Sequence, residues 1–533
     1  MFARSHEMTN ESRRERATGE KSDSTRRRLT GLAWWMPVAA LSLLLALIFV
    51  DPFAGDWDAL DYTVFALEGR PSSMLLGRML FVFFNHGLWR IAHGLFDLPP
   101  ERAYLLFKYA VVAQSPLAII ASWALARELT RSVQAATLAA LLLALSPFYI
   151  IYSGQAMTEI PAILLLAIAL TIHLRGLERA RTSSILIGAA LLGLGANVRE
   201  AALVYAPWLV FMPCAFGWRW RMKDLGVTAL ACLLFVLFAF GPFALWFGLN
   251  IGDYRAWWFG WWETARAESA RHPISLSNMR QLLFYFFIAA PVVLSLIPWT
   301  FKDEWRRRGW SPLLIAACVG LWANLILILH YSVVLNGRYL LTGLPALVPI
   351  TGDYLWRKMR GRSGDEWRAF WRAAAIAAAP TALVGSIVYI QAKPALAAHA
   401  LPREYRARLE LLPPDAVVMA GGQTVSVTFW RGVGLGRWEV IGTGSGWPGP
   451  NLPEVIDSYL RAGKRVFVDT DPRLWKGYGW QEEETRALVA LQDRFRFRRV
   501  TATIYEIRPR DDLAAQDDPQ LWRLLPEREG GVR

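Results

Sequence analysis

Apolar stretches, each close to the length of a membrane-spanning helix, recur along most of this sequence. A helix needs about 20 apolar residues to cross the hydrocarbon core of a bilayer. The fifth and sixth stretches are short and only Arg199 separates them, so this pair is also compatible with a broken or re-entrant span. We therefore predict a polytopic α-helical membrane protein with eleven transmembrane helices, at residues 31–50, 106–126, 132–151, 158–175, 183–198, 200–216, 225–248, 281–299, 311–331, 339–356 and 372–391.

Charged residues between these stretches predict the orientation. The chain carries 58 lysine and arginine residues against 44 aspartate and glutamate residues. The basic residues recur in short clusters and form no continuous patch, so the net charge of +14 does not indicate nucleic-acid binding. If the N-terminus lies in the cytoplasm, the basic loops all fall on the cytoplasmic side, as the positive-inside rule requires. These loops are 127–131, 175–181, 219–223, 302–308 and 357–368.

Polar segments precede and interrupt the predicted helices. Residues 1–30 are rich in arginine, and we expect them to form a disordered cytoplasmic tail. The predicted transmembrane domain covers residues 31–391 and has two large outside loops, 51–105 and 249–280. An amphipathic stretch in the first loop and four tryptophans in the second favour positions along the membrane interface over ordinary loops.

The composition changes to that of a soluble domain near residue 395. Between 395 and 510, strand-like stretches alternate with helical patterns, which predicts a small α/β domain with a mostly parallel sheet. An odd number of spans makes this domain extracytoplasmic in a cytoplasmic (inner) membrane protein, and we expect residues 511–533 to be a disordered tail. The predicted strands are 416–420, 438–441, 465–469 and 501–507, and the predicted helices are 452–462 and 482–495.

Several ionisable residues stand at the outside ends of the predicted spans. Ionisable side chains at membrane depth are costly and often mark functional sites. Their alternative roles are structural, because aspartates cap helices, a glutamate in a first turn favours the macrodipole, and arginines extend to lipid headgroups. The residues are Asp56, Asp58 and Asp61 after the first span, Glu159 at the start of the fourth, Arg199 and Glu200 between the fifth and sixth, and Arg338 before the tenth.

These residue types suit transfer from a lipid-linked phosphate donor. Carboxylates can act as general bases toward a hydroxyl group, and arginines bind phosphate through paired hydrogen bonds. Such a donor needs no nucleotide-sugar site, because its leaving group is itself anchored in the lipid.

Four short motifs follow one another along residues 31–391. They are Asp56-Trp-Asp58 with Asp58-Ala-Leu-Asp61-Tyr62, then Thr158-Glu159-Ile-Pro161, then Gly195-Ala-Asn-Val-Arg199, and then Asn336-Gly-Arg338-Tyr339. Their order and common sidedness resemble the GT-C superfamily of membrane glycosyltransferases, especially the protein O-mannosyltransferase and aminoarabinose-transferase-like group. Many relatives have Asp-Glu where this sequence has Asp58-Ala59, and Gly69-Arg-Pro-Ser-Ser-Met replaces the usual proline-rich stretch. These departures leave open the choice between Asp56 and Asp58, and the acceptor class.

The resemblance implies a hexosyl- or pentosyltransferase that takes its sugar from a polyprenyl-phosphate donor. The acceptor would be a hydroxyl group of a glycan, lipid or protein at the outer face of the membrane, and the reaction would invert the anomeric configuration. Asp58 or Asp56 would remove the acceptor proton, and Arg338 and Arg199 would bind the donor phosphate. Further substrate-binding residues would be Glu159, Asp61 and Tyr339.

The sequence implies no definite cofactor, although it leaves room for a divalent metal ion. The candidate ligands are Asp56, Asp58, Glu159 and His86. His86 and His93 would share one face of an amphipathic helix, where packing at the interface is the alternative role.

Other functions fit parts of the pattern. A transporter or flippase of lipid-linked saccharides would line a path with charges, whereas here the charges gather at one boundary and no inverted repeat is apparent. A glycan ligase or polymerase would share the same chemistry, and a non-catalytic assembly subunit would work through its C-terminal domain. The expected partners are the polyprenyl-phosphate-sugar donor, the acceptor and membrane lipids, with no nucleic acid.

Overall fold

The computed structural model of the chain forms two compact units. The first comprises Met1–Asp51, Pro71–Phe84 and Phe107–Ile390, and the second comprises Pro52–Arg70, Asn85–Leu106 and Gln391–Arg533. The predicted tail 1–30 and most of the predicted tail 511–533 lie outside the described residues. The structure describes residues 34–50, 57–72, 76–217, 222–248, 250–271, 275–331, 337–362, 364–396, 400–442, 448, 451–475, 482–512 and 521.

The described part of the chain is helical up to residue 396. Short 3-10 helices at Pro100–Arg102, Glu200–Tyr205 and Gly337–Thr342 interrupt the α-helices. The α-helices are α1 (Trp34–Ile48), α2 (Trp57–Glu68), α3 (Met79–Phe96), α4 (Ala103–Thr130), α5 (Val133–Ala144), α6 (Pro147–Ser153), α7 (Glu159–Glu178), α8 (Thr182–Ala196), α9 (Ala206–Ala215), α10 (Met222–Trp246), α11 (Ile251–Arg271), α12 (Leu276–Ala289), α13 (Pro291–Arg308), α14 (Pro312–Tyr331), α15 (Leu344–Arg360) and α16 (Glu366–Leu396).

Proline and glycine explain where these helices begin and how closely they pack. Pro147 and Pro291 stand in the first turns of α6 and α13, where the missing N–H of proline is not needed. A Cβ on Gly193 would lie 2.3 Å from the carbonyl oxygen of Phe235. Only a glycine therefore allows α8 to lie so close to α10, a type of packing that is common between membrane helices.

The lengths of the helices agree with a multi-pass membrane protein. Among the described residues, four helices are long and apolar enough to cross a bilayer, and the number rises to six if each of two bent helix pairs is one span. The exact number of eleven spans stays a prediction. The long helices are 100–130, 159–178, 222–246 and 366–388, the bent pairs are 133–144 with 147–153 and 279–289 with 291–308, and shorter apolar helices lie at 34–48, 182–196, 200–215 and 312–323.

The fifth and sixth predicted spans are separate short elements. The α8 helix has 15 residues, and the helical stretch after it runs from Glu200 to Ala215. At about 1.5 Å per residue, neither reaches the roughly 30 Å thickness of a hydrocarbon core. A broken or re-entrant span at this pair stays a prediction.

The second unit contains a five-stranded mixed sheet. Strand β1 is parallel to β2 and β3, whereas β5 is antiparallel to β3 and β4. Its strands, in the spatial order β2-β1-β3-β5-β4, are β1 (Val417–Met419), β2 (Glu439–Ile441), β3 (Val466–Asp469), β4 (Arg496–Arg499) and β5 (Ile504–Arg508). The accompanying helices are α17 (Ala400–Leu409), α18 (Thr424–Gly432), α19 (Leu452–Arg461), α20 (Pro472–Trp475) and α21 (Glu482–Val489).

Among the described strands, the edge strand β4 is the one that the sequence pattern did not predict, and helices α17, α18 and α20 were not predicted either. The four residues of β4 contain one apolar side chain, Phe497, which is buried while the arginines around it are exposed. So short an alternation gives little signal. Together β4 and β5 make the sheet mixed, where the sequence indicated a mostly parallel one.

Helix α2 packs into the core of the second unit. Leu60 and Val64, one turn apart, are buried with side chains of the sheet and of α18. A Cβ on Gly432 would lie 3.0 Å from the methyl groups of Val64, so glycine permits this close approach. The helix that carries Asp58 and Asp61 is thereby held by C-terminal residues.

Ion pairs join the basic ends of α13 and α15 in the first unit. Arg357 donates through Nη1 to Asp303 and through Nε to Asp353, both at 2.7 Å. Glu304 is fully buried beside them, and its Oε1 accepts a hydrogen bond of 2.6 Å from Ser311. Buried carboxylates need such partners, because an uncompensated charge is costly.

Replacing Arg357 with alanine should lower the free energy of unfolding by about 3 kcal/mol, because removing one partner leaves buried carboxylates without their counter-charge. Thermal unfolding of the purified protein in detergent would measure the change. Arg360→Ala is the control, since its ion pair with Glu366 is exposed and should contribute little. Equal effects of the two variants would contradict a stabilising role for the buried pairs.

Candidate functional site

Three residues that are far apart in sequence come together in the first unit. Glu159 is the first residue of α7, Arg199 lies in the turn after α8, and Arg338 lies in the 3-10 helix Gly337–Thr342. Arg199 donates from Nη1 to Oε1 of Glu159 at 2.5 Å, and Nε of Arg338 lies 3.6 Å from the same oxygen. One buried carboxylate oxygen therefore lies between two guanidinium groups.

Neighbouring side chains hold the two arginines in place. Nη1 of Arg199 also donates to the hydroxyl of Thr158 at 3.0 Å. The ring of Tyr339 lies 4.9 Å from the guanidinium carbon of Arg199 and 5.4 Å from that of Arg338. An aromatic face at this distance attracts a cation, so Tyr339 stabilises both groups.

The two segments that carry the arginines are also linked through their 3-10 helices. The hydroxyl of Tyr205 donates to the carbonyl oxygen of Thr342 at 2.7 Å. Gly337 lies so close to Phe148 that a Cβ there would be 2.1 Å from the ring. The motif residue Asn336 lies outside the described residues.

The buried cluster leaves hydrogen-bonding capacity unused. Arg199 is 1% exposed, and its Nε and Nη2 have no hydrogen-bond partner among the described residues. Oε2 of Glu159 is likewise buried without one in this part of the chain. Leaving charged groups unsatisfied in the interior is expensive, so unsatisfied N–H groups on a buried arginine are suited to an anion with several oxygen atoms, such as phosphate.

A third arginine extends this cluster, and the sequence motifs did not include it. Arg78, which is 1% exposed, donates from Nε and Nη2 to the two carboxylate oxygens of Glu200, at 3.1 and 2.8 Å. Its position in a predicted outside loop, where the positive-inside rule expects few cations, could have identified it as a candidate site residue. With three arginines and two glutamates, the ionised cluster carries one net positive charge.

Asp58 and Asp61 of the acidic motif lie on α2 in the second unit. Asp58, in the first turn, accepts a hydrogen bond of 3.5 Å from the hydroxyl of Tyr62. Burial, followed by the charge of Asp58, raises the pKa of Asp61 to about 6, and Arg70 opposes the shift. Asp56 lies outside the described residues.

Replacing Asp61 with asparagine should stabilise the protein at neutral pH. Because the folded chain favours the protonated carboxyl, wild type loses stability as the pH rises from about 4 to about 6, and the variant avoids a loss of about 3 kcal/mol. Thermal unfolding at a series of pH values should show equal stabilities near pH 4 and a difference above pH 6. The exposed Asp97→Asn is the matched control, and a pH-independent difference for Asp61→Asn would contradict the raised pKa.

Both histidines of the first-loop helix have packing roles. Nδ1 of His86 lies 2.7 Å from the carbonyl oxygen of Ala66, and its ring covers Gly69. His93 stacks on Trp89 with ring centroids 5.0 Å apart. In the ranges that the structure describes, no group of three or more His, Cys, Asp or Glu side chains could hold a metal ion. A divalent metal at the acidic motif, which includes Asp56, stays a prediction.

Comparisons with known proteins agree with this architecture. The family model described as dolichyl-phosphate-mannose-protein mannosyltransferase matches residues 88–246. No curated protein sequence matches the chain. The crystal structure of ArnT from Cupriavidus metallidurans bound to undecaprenyl phosphate has a TM-score of 0.57 and 13% identity, covering 91% of this chain and 99% of that one.

A second enzyme shares the fold. The oligosaccharyltransferase of Archaeoglobus fulgidus in its apo form has a TM-score of 0.53 and 14% identity, covering 90% of this chain and 75% of that one. The same enzyme tethered with an acceptor peptide containing the NVT sequon has a TM-score of 0.52 and 13% identity, covering 90% and 74%. The chain is thus a multi-pass helical membrane protein. Its fold is similar to those of ArnT and of the archaeal oligosaccharyltransferase, in agreement with the resemblance found in the motifs.

Proposed function

We propose that this protein transfers a sugar from a polyprenyl-phosphate-linked donor to a hydroxyl group of a glycan, lipid or protein. The observation that carries the proposal is the buried cluster of Glu159, Arg199 and Arg338, in which two nitrogens of Arg199, Nε and Nη2, have no partner among the described residues. The undecaprenyl phosphate bound by ArnT supports a lipid phosphate as the ligand.

The arginines would bind the donor phosphate. Arg199 and Arg338 would neutralise the negative charge that grows on the phosphate as the bond to the sugar breaks. Glu159 would hold the guanidinium groups in position, and Tyr339 would stack beneath them. Because the cluster has one net positive charge, it would attract the anionic leaving group without burying a large excess of charge.

The acidic motif would act on the acceptor. Asp58 or Asp56 would take the proton of the acceptor hydroxyl as its oxygen attacks the anomeric carbon. The new bond from sugar to acceptor forms as the bond from sugar to phosphate oxygen breaks, so polyprenyl phosphate leaves and the configuration inverts. Asp61, whose pKa is raised, would donate a hydrogen bond to a sugar hydroxyl when protonated and accept one when ionised.

The proposed topology places this chemistry outside the cytoplasm. Eleven spans would leave the N-terminus in the cytoplasm and the domain 395–510 on the outer face of the cytoplasmic membrane. The transmembrane domain 31–391 would supply the donor site, with the loops 51–105 and 249–280 at the interface. The basic ends of α13 and α15, with their arginines, support this orientation.

A deletion strain tests the proposal. Mass spectrometry of envelope glycans, lipids and glycoproteins should detect one sugar substituent that is lost on deletion and restored by the wild-type gene. The matched complementing genes encode Arg199→Ala, which should not restore it, and the exposed Arg131→Ala, which should. Identical sugar profiles with and without the gene would refute a transferase and favour transport of lipid-linked saccharides or an assembly role.

A further inference from the structure

We propose that the ion pair between Arg78 and Glu200 positions Arg199, which makes Arg78 a positioning residue for the donor phosphate. This inference rests on the proposed function. Glu200 follows Arg199 directly in the chain, so a partner that fixes Glu200 also fixes the backbone from which Arg199 extends.

The geometry of the pair is restrictive. Two nearly parallel N–H groups of Arg78 meet the two oxygens of Glu200, and the side chains are 2% and 18% exposed. A bidentate contact of this kind sets the angle as well as the distance between two groups. A lysine at position 78 would keep the charge, but as a point charge it would not set the angle.

Arg78 reaches this position through a costly backbone conformation. Its φ is +44°, in the left-handed region that non-glycine residues rarely adopt. Gly77 before it has a φ of +63°, and a Cβ there would lie 2.6 Å from the ring of Phe243. The N–H of Ser72 donates to the carbonyl oxygen of Gly77 at 2.8 Å and holds this peptide group in place. Backbone strain persists where the surrounding structure enforces it, and it concentrates at functional sites.

The turn with Arg199 is also fixed at its other end. The N–H of Leu80 donates to the carbonyl oxygen of Asn197 at 3.0 Å. The side-chain amide of Asn197 donates to the carbonyl oxygens of Phe238 and Ala239 in α10, at 2.8 and 3.1 Å. With Glu200 held by Arg78, both ends of the turn are anchored, and Arg199 is left to extend toward Glu159.

The test measures binding of undecaprenyl phosphate to the purified full-length protein in detergent. Arg78→Lys should raise the dissociation constant about tenfold, which corresponds to about 1.4 kcal/mol. Glu200→Gln should have a similar effect, and the double variant should be little worse than either alone, because both changes break the same contact. Glu200→Gln also provides the test if Arg78→Lys fails to fold.

Arg357→Lys is the matched control. It changes another ion-paired arginine of the first unit, whose side chain is 22% exposed, to lysine, so it should lower the unfolding temperature without changing the dissociation constant. If Arg78→Lys and Glu200→Gln likewise lower only the unfolding temperature, the pair is merely structural and the inference fails. The proposed function is tested separately by Arg199→Ala, because wild-type affinity in that variant would remove the donor-phosphate assignment whatever Arg78 does.

Discussion

Replacing Arg199 with alanine should weaken binding of undecaprenyl phosphate by about 100-fold or more. Each charge-assisted hydrogen bond is worth about 1.5–3 kcal/mol. Losing two such bonds therefore lowers the affinity by about 100-fold or more. The variant also leaves the carboxylate of Glu159 buried, with Arg338 as its remaining ion-pair partner among the described residues. Titration of the purified protein with undecaprenyl phosphate in detergent measures the effect.

Two further variants make this result specific. Arg199→Lys should be intermediate, since lysine keeps the positive charge and loses the planar fork. Arg131→Ala should bind as wild type does, because Arg131 is half exposed and pairs with Glu128 and Glu178 in the first unit. Wild-type affinity of a folded Arg199→Ala protein would contradict a phosphate site at this cluster.

Replacing Asp58 with asparagine should lower the turnover number for sugar transfer by about 10²–10⁴, the usual contribution of a general base. Asparagine has nearly the same size and can still accept a hydrogen bond from Tyr62, but it cannot take a proton. Binding of undecaprenyl phosphate should stay unchanged, because this side chain acts on the acceptor. Single-turnover transfer from a polyprenyl-phosphate sugar would separate the chemical step from binding.

The choice between the two acidic motif residues follows from the same experiment. If Asp56→Asn shows the large loss and Asp58→Asn does not, Asp56 is the base. Asp97→Asn is a matched control, since Asp97 is exposed in the second unit and asparagine tolerates its φ of +50°. Full activity in both Asp56→Asn and Asp58→Asn would remove the base assignment altogether.

These two results would separate donor recognition from proton removal. Loss of binding in Arg199→Ala and loss of turnover in Asp58→Asn would assign donor recognition to Arg199 and proton removal to Asp58. Loss of binding in both variants would instead mean that Asp58 organises the donor site. The stability of Asp61→Asn offers an independent comparison. This variant should be more stable than wild type because the pKa of Asp61 is raised, and catalytic groups commonly lower the stability of the folded protein.

Much of the candidate site could be predicted from the sequence, because ionisable residues next to apolar stretches can be recognised without a structure. Glu159, Arg199 and Arg338 were predicted as a set from their sidedness and motifs, and the fold brings them into contact. Arg78 was not among the predicted site residues, since its partner Glu200 lies 122 residues away and nothing local connects them. The packing of α2 with C-terminal residues could not be predicted from the sequence either, because the apolar residues Leu60 and Val64 do not indicate which part of the chain they contact.

The amino-acid sequence by itself determined the apolar helices, the orientation expected from their flanking charges and the residue types available at the outer face. These are local properties, because hydrophobic length and loop charge act on each segment separately. The tertiary structure alone decided which charges meet. A single carboxylate oxygen of Glu159 lies between two arginines, and a strained turn brings Arg78 to Glu200, only because packing of distant helices fixes side-chain positions to within a few tenths of an ångström.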